Sequence, residues 1–496
     1  MVQSLSYKLL ISIFLLFFST SLFAQTGRYW SNSFNTDASL LSGAVVGGGS
    51  GIASIFYNPS QIADIDYKTF SISANIFSTY IFRYDDALGG GDSYSDWDFK
   101  VQPRFVAFLL RPRNWDKTSI ELASFTRDNI SSEIRSRTAQ QLDIIKSLPG
   151  IEEYIGDFYY RMEYEDYWIG IGMAKKYSDK FSFGVSAFHS YAVINYDYNL
   201  ETKAYNIEKG AAIDIEDFYI ANFANVQNIK GYTSRFLLKI GFKYTLNDLH
   251  LGLNITTPTM AYAGTSKVYR EVSVQNVNNV DDQPLPNMLA TEQQEELETR
   301  FKEPFSVAFG ATYFRKKSSL YFTVEYFAPI KRYNLITDMP PEAFVTNNII
   351  GFKTENWLNY KAQHRNVTNV AVGMRGNVNQ NIELIGGFRT DFTYTPYTGG
   401  GDNKFPSEIT TFSLNQYHFT GGAQFKIFKT DIIAGLQYSL SRGKNLKQVA
   451  NFSNPVEFSP EDRIVLQGRR DHSMGIRENT LSLFLGFTYN IGQSSE

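Results

Sequence analysis

The chain has 496 residues, a formal net charge of −3 and no cysteine. So small a charge leaves no electrostatic footprint for nucleic acid. The missing thiols exclude a disulfide framework, a thiolate nucleophile and a thiolate-held metal.

Residues 1–24 read as a signal peptide. Lys8 supplies the positive charge, residues 9–18 ("LLISIFLLFF") form an apolar run, and "STSLFA" leads to a cut after Ala24. The run is too short for a spanning helix, which needs about 20 apolar residues. No later run reaches that length. The choice is then between a soluble exported protein and a membrane β-barrel, whose alternating strands keep average hydropathy low. Aromatic residues are 16% of the chain, with 40 Phe and 32 Tyr against 5 Trp, a supply suited to interfacial girdles. A closed barrel also holds a long exported chain without disulfides, because every strand is paired.

Residues 25–66 are rich in Gly, Ser and Asn and carry "GGGSGIASIFYNPSQIAD" at 47–64. The stretch has the look of a nucleotide loop, but no Gly-Lys-Ser/Thr follows. No strand is expected before it and no helix after it, so a phosphate would find no aligned amides. Its expected place is inside a barrel, as a plug. Glycines 43, 47, 48, 49 and 51 let the backbone turn tightly and approach an inner wall. Ile52, Ile55, Phe56 and Tyr57 offer apolar contacts to a ligand or to that wall, and Asn58-Pro59 makes a fixed turn before the first strand.

Residues 67–491 alternate with period 2 again and again. Between residues 68 and 83, Phe70, Ile72, Ala74, Ile76, Tyr80 and Phe82 are expected on one face, with Ser71, Ser73, Asn75 and Thr79 on the other. "SRFLLKIGFKYT" puts Phe236, Leu238, Ile240, Phe242 and Tyr244 outward, and Arg235, Lys239, Gly241 and Lys243 inward. "TLSLFLGFTYNI" puts Leu481, Leu483, Leu485, Phe487, Tyr489 and Ile491 on one face. Fourteen such segments are expected, near 67–82, 102–111, 117–127, 162–175, 181–196, 232–246, 249–263, 304–315, 319–330, 367–377, 381–392, 416–427, 431–441 and 480–491. Short connections such as "YSDK", "LND" and "FKT" alternate with long ones. That is the pattern of an even-stranded antiparallel transmembrane barrel with both termini on the short-turn side. A short tail, 492–496, follows. Two long loops carry helical patterning, which predicts lids or solvated helices. In "SSEIRSRTAQQLDIIKSLPGIEEYIGDF" the apolar spacing is Ile134, Leu142, Ile145 and Leu148, with Ser132 as a cap. "ATEQQEELETRF" is rich in helix formers.

The chemistry expected is not catalytic. His189, His250, His364, His418 and His472 show no metal spacing, and no Gly-x-Ser-x-Gly elbow occurs. No metal or cofactor is expected. The acidic loop with Asp85, Asp86, Asp92, Asp96 and Asp98 matches no calcium-loop spacing and reads as a solvated loop. Arg375 and Arg389 are expected to face inward beside Arg235, Lys239 and Lys243, with Glu325, Glu383 and Asp391 as partners. These charges form either a paired network or a receptor for a ligand carboxylate.

"SGIASIFYNPSQIAD" resembles the hatch motif of the FadL/TodX outer-membrane transport family. "LHLGLNITTPTMAYAG", "FKEPFSVAFGATYF" and "IELIGGFRTDFTYTP" resemble that family's later barrel segments in order and spacing. Ser60 and Gln61 depart from the family's Ala-Gly, and the chain ends on "YNIGQSSE", with Tyr489 in place of the terminal aromatic. The resemblance implies a monomeric, multi-pass barrel in the bacterial outer membrane, embedded among lipid and lipopolysaccharide. It implies passive uptake of hydrophobic small molecules such as long-chain fatty acids, gated by residues 25–66 as a hatch. Ile55, Phe56, Tyr57, Asn58, Pro59, Arg235, Lys239, Lys243 and Arg389 are the expected ligand contacts. The alternative is a barrel of this kind docked to a protein partner, as in PorV-type secretion shuttles.

Overall fold

The computed structural model describes residues 27–31, 33–65, 68–112, 115, 117–147, 150–206, 219–278, 284–340, 343–346, 356–395, 408–412, 414–462 and 464–491. The expected signal peptide and tail lie outside them. The strands are β1 (Lys68–Asp85), β2 (Ser93–Leu110), β3 (Thr118–Leu142), β4 (Glu152–Lys176), β5 (Phe181–Asn206), β6 (Ile220–Leu246), β7 (Leu249–Thr256), β8 (Met260–Gln275), β9 (Met288–Thr299), β10 (Ser306–Phe314) and β11 (Ser318–Phe327). They continue as β12 (Ile330–Thr337), β13 (Phe344–Val345), β14 (Tyr360–His364), β15 (Val367–Asn377), β16 (Ile382–Asp391), β17 (Gln416–Ile427), β18 (Thr430–Leu446), β19 (Val456–Ser459), β20 (Ile464–Gln467) and β21 (Met474–Ile491).

Fourteen strands close edge to edge at the short-turn end. The order is β1 to β7, then β10, β11, β15, β16, β17, β18 and β21, which pairs back onto β1. All neighbours are antiparallel, and the seam runs from Lys68↔Ile491 to Asp85↔Gly475. Each of the fourteen expected segments overlaps one of these strands, but the one expected at 249–263 breaks after β7, and its last residues, 260–263, belong to β8. The outward positions carry apolar side chains around the cylinder, among them Ile72, Leu122, Ile171, Phe309, Leu320, Met374, Leu436 and Leu485. Inward neighbours are small or polar: Ser71, Ser186, Thr312, Thr323 and Ser482 are all buried. This is the alternation of a barrel wall facing lipid.

Four expectations are corrected. β1 carries register shifts between Asn75 and Ser78, which reverse its faces. Ile81 is therefore outward at 48% exposure, while Phe82 at 8% and Tyr80 turn inward. The two expected helices are strands. β3 and β4 pair without a break from Asp128↔Asp166 to Leu142↔Glu152, and "ATEQQEELET" is part of β9. Glu133, Arg135 and Arg137 lie exposed on one face of β3 while Ile134 is buried on the other. Cross-strand pairing there outweighs local helix propensity. Leu148 lies outside the described residues. The third correction is that the long connections are shorter than expected: 86–92 instead of 83–101, and 143–151 instead of 128–161. The strands simply continue beyond the lipid-facing band. The fourth concerns "GGGSGIASIFYNPSQIAD", where short helical turns do follow the glycines, at Gly51–Ala53, Ser54–Tyr57 and Pro59–Asp64.

Above the band, the connections and the upper halves of β3–β6 share one apolar core. Tyr84, Tyr154, Tyr160, Tyr196, Phe412, Phe452 and Trp357 are all buried in it. The wall changes partners at the base of this region. Strand pairing breaks at 257–259, 300–305, 328–329 and 365–366. Pro258, Pro304 and Pro329 sit in three of these breaks, where a missing N–H cannot serve the ladder. Above the breaks, β6 pairs with β8, β8 with β9, and β12 with β14.

Leu485 sits in the middle of an outward row on β21. Leu485→Arg is expected to lower stability by about 2–4 kcal/mol, the cost of a charge on the lipid face of a barrel, read from urea titration of the protein folded into phospholipid vesicles.

Candidate ligand path within the bore

Residues 27–31 and 33–65 touch inward side chains on strands all round the cylinder. Arg28 donates to both Glu478 oxygens (2.9 and 3.1 Å) and lies 3.5 Å from Asp391. The backbone N–H of Trp30 donates to Asp391 (2.9 Å) and its indole N–H to Glu325 (2.7 Å). Asp37 pairs with Arg375, and Asp64 accepts from Lys243 Nζ at 2.6 Å. Burial works to lower the Arg28 pKa, and the Glu478 and Asp391 carboxylates more than offset it, so the guanidinium is held above its ordinary value. Burial likewise pushes the Asp37 carboxyl up, against the opposing pull of Arg375.

The segment approaches the wall so closely because the wall has no side chains there. Glycines face each other in cross-strand pairs, Gly184↔Gly241, Gly252↔Gly310, Gly373↔Gly387 and Gly422↔Gly435. A Cβ on Gly310 would lie 2.3 Å from the backbone N of Gly47, one on Gly252 1.9 Å from Val46 O, and one on Gly184 2.4 Å from Pro59 O. Gly47 is equally constrained, since its own Cβ would meet the Ala311 backbone at 2.8 Å. Sequence reasoning found the glycines of the segment and missed these partners on the wall. The available signal was glycine recurring at inward positions of paired strands.

The expected contact residues take up different roles. Ile55, Asn58 and Pro59 are buried fasteners. The Asn58 amide donates to Val46 O (2.9 Å) and Phe242 O (3.1 Å), and its oxygen accepts from Ser60 N (3.2 Å), capping the turn at Pro59–Asp64. Tyr57 accepts from Phe34 N at 3.1 Å. Phe56 packs with Phe34, Phe125 and Trp168, and the Lys239 ammonium sits 4.2 Å from its ring centroid. Lys239 also donates to Thr256 at 3.1 Å, and among the described residues no carboxylate lies within ion-pair reach of it. Lys243 and Arg389 hold the amino-terminal segment, Arg389 through Ser33 and the Ser31 carbonyl.

Among the expected residues Arg235 lines one cavity, while Phe56, Tyr57, Lys239 and Arg389 border a smaller one. The Arg235 cavity, about 120 Å³, is bordered by Ile130, Met162, Ile194, Phe301, Leu335 and Ile409, with Tyr164, Tyr333, His364 and Tyr394 among its other lining residues. Arg235 is buried and paired: it donates to Asp166 at 2.6 Å and to Ser190 at 3.0 and 3.1 Å, with Glu303 at 3.8 Å. The cavity lies at the level of the wall breaks, since Phe301, Lys302 and Glu303 belong to the 300–305 interruption. The Thr233 hydroxyl donates to Thr299 O (3.0 Å), and a Cβ on Gly264 would meet that same oxygen at 2.1 Å, so this stretch crosses the inner side of β8. Among the described residues no group of side chains is arranged to hold a metal. In the acidic loop, Asp85 is taken up by Arg83 and Arg477, and Asp86 by Gly91 N and Gln448.

A closed fourteen-stranded cylinder, apolar outside and polar within, defines a membrane-spanning β-barrel and fits a protein of an outer membrane. No family model and no curated relative matches the sequence. Solved structures do match. They include the CymD monoaromatic hydrocarbon channel, at TM-score 0.51 and 9% identity over 92% of this chain and 98% of that one. A Pseudomonas aeruginosa FadL homologue matches at TM-score 0.51 and 13% identity, over 94% and 100%. The deltaS2 mutant of the TodX monoaromatic hydrocarbon channel matches at TM-score 0.55 and 12% identity, over 95% and 97%. The resemblance read from "SGIASIFYNPSQIAD" is thus matched by a shared fold.

Because the lower bore is sealed by backbone against glycine, Gly252→Ala together with Gly310→Ala is expected to unseat the segment. Overpacking there displaces the backbone, so ion conductance across a planar bilayer should rise above that of the unaltered protein, with the barrel still intact by heat-modifiable mobility.

Proposed function

We propose that the protein is an outer-membrane channel for passive uptake of hydrophobic small molecules, long-chain fatty acids among them, with the amino-terminal segment as its hatch. The observation that carries this is the cavity itself. It is edged in part by apolar side chains and lies beside the interrupted wall. Burial against the apolar part of its lining would stabilise an apolar ligand by about 0.8 kcal/mol per buried methylene. The shared fold with proteins described as monoaromatic hydrocarbon channels supports the same reading. On this reading the ligand enters the cavity, and a shift of the segment or a gap in the broken wall releases it down its gradient. Export by residues 1–24, a setting of lipid and lipopolysaccharide, and action as a monomer belong to the proposal. No observation favours the docking alternative.

The test is uptake of radiolabelled oleate and toluene by cells with and without the gene. Uptake is expected to depend on the protein, and unchanged rates for both probes would defeat the proposal. Phe301→Asp, which sets a charge at the cavity edge, is expected to lower uptake about tenfold without loss of folded protein from the membrane.

A further inference from the structure

We propose that the slot filled by the Tyr29 ring is a binding site for a planar, singly hydroxylated aromatic molecule, and that Tyr29 is its resident occupant while the bore is closed. This rests on the reading of the bore as a ligand path. The Tyr29 ring is fully buried and stacks on Phe327 and on Tyr394, each with centroids 4.2 Å apart and interplanar angles of 20° and 21°. Two near-parallel rings at that distance must lie on opposite faces. The Tyr29 hydroxyl shares a hydrogen bond of 3.0 Å with His364 Nδ1. Phe327, His364 and Tyr394 all belong to the barrel and its connections, so the slot is built by the wall. Tyr29 arrives on the amino-terminal segment, beside Arg28 with its polar contacts to Glu478, and its own carbonyl accepts from Arg127.

His364 and Tyr394 also border the cavity of about 120 Å³. An occupant of the cavity therefore meets two of the groups that hold Tyr29. The slot's chemistry is selective. Two ring faces at stacking distance favour a flat ring over an aliphatic chain. The polar group at the end of the slot is an imidazole, which suits a phenol hydroxyl and offers no fixed charge to a carboxylate. The ligand class is that of a para-alkylated phenol, which is what a tyrosine side chain is.

The experiment uses the full-length protein in detergent with p-cresol, toluene and decanoate as probes, read by quenching of intrinsic fluorescence. Tyr29→Ala is expected to bind p-cresol at least tenfold more tightly than the unaltered protein. It should prefer p-cresol to toluene by about three- to tenfold, the worth of one hydrogen bond, and ignore decanoate. Tyr29→Phe, which keeps the ring and drops the hydroxyl, is expected to fall between. Tyr29→Ala combined with His364→Phe should retain binding and lose the preference. Equal p-cresol affinity in Tyr29→Ala and the unaltered protein overturns the assignment, as does equal affinity for p-cresol and toluene with His364 present. Selective p-cresol binding in a protein that has no effect on cellular uptake removes the channel reading and leaves the slot.

Discussion

No backbone amide can be left without a partner in hydrocarbon, where each one costs several kcal/mol. Everything else in this protein follows from meeting that demand with strands. The ladder has to return on itself, and it does so where β21 pairs with β1 over the whole length of β1. A cylinder of fourteen strands is too wide for its own inward side chains to fill. Backbone fills it instead, and backbone fits only because glycines clear the wall. Small residues that would weaken an isolated strand are here the condition for packing a second chain segment against it.

Charge then fixes where that segment lies. The wall offers Glu478, Asp391, Arg375 and Lys243 at separate points around the circle, and the segment brings Arg28, Asp37 and Asp64 to meet them. An uncompensated charge in such a place costs far more than the pair gains, so the contacts work chiefly by excluding other placements. The same reasoning explains Arg235. Its guanidinium borders the cavity but is taken up by Asp166 and Ser190, so it shapes the wall of the cavity and is not free to receive an anion. Lys239 has a hydroxyl and a ring as its partners and, among the described residues, no carboxylate within ion-pair reach.

The strands were legible because lipid imposes a strict two-residue period on the outer face, and turns such as "YSDK" and "LND" punctuate it. The signal failed where that demand lapses. Beyond the lipid, β3, β4 and β9 have polar outer faces, so "SSEIRSRTAQQL" and "ATEQQEELET" keep no two-residue apolar alternation and read as helix. The bulge in β1 was invisible because one extra residue changes faces without changing composition. The inward direction of Arg235, Lys239, Lys243 and Arg389 was legible from alternation alone. Their partners were not, since Lys243 and Asp64 or Arg389 and Ser33 lie hundreds of residues apart or nearly so. The Tyr29 slot lacked any local signature, because Phe327, His364 and Tyr394 meet only when the circle closes.

The seam between β1 and β21 joins the two ends of the sheet, and this sets an order of events during assembly. Contacts from the segment to β4, β5 and β6, such as those of Pro59 and Asn58, connect parts of the chain made early. Contacts to β15, β18 and β21, such as those of Asp37, Leu40 and Arg28, await the last third of the chain. Pairings of such long sequence separation form slowly. The contacts that hold the amino-terminal residues are therefore complete only once the carboxy-terminal strand is in place.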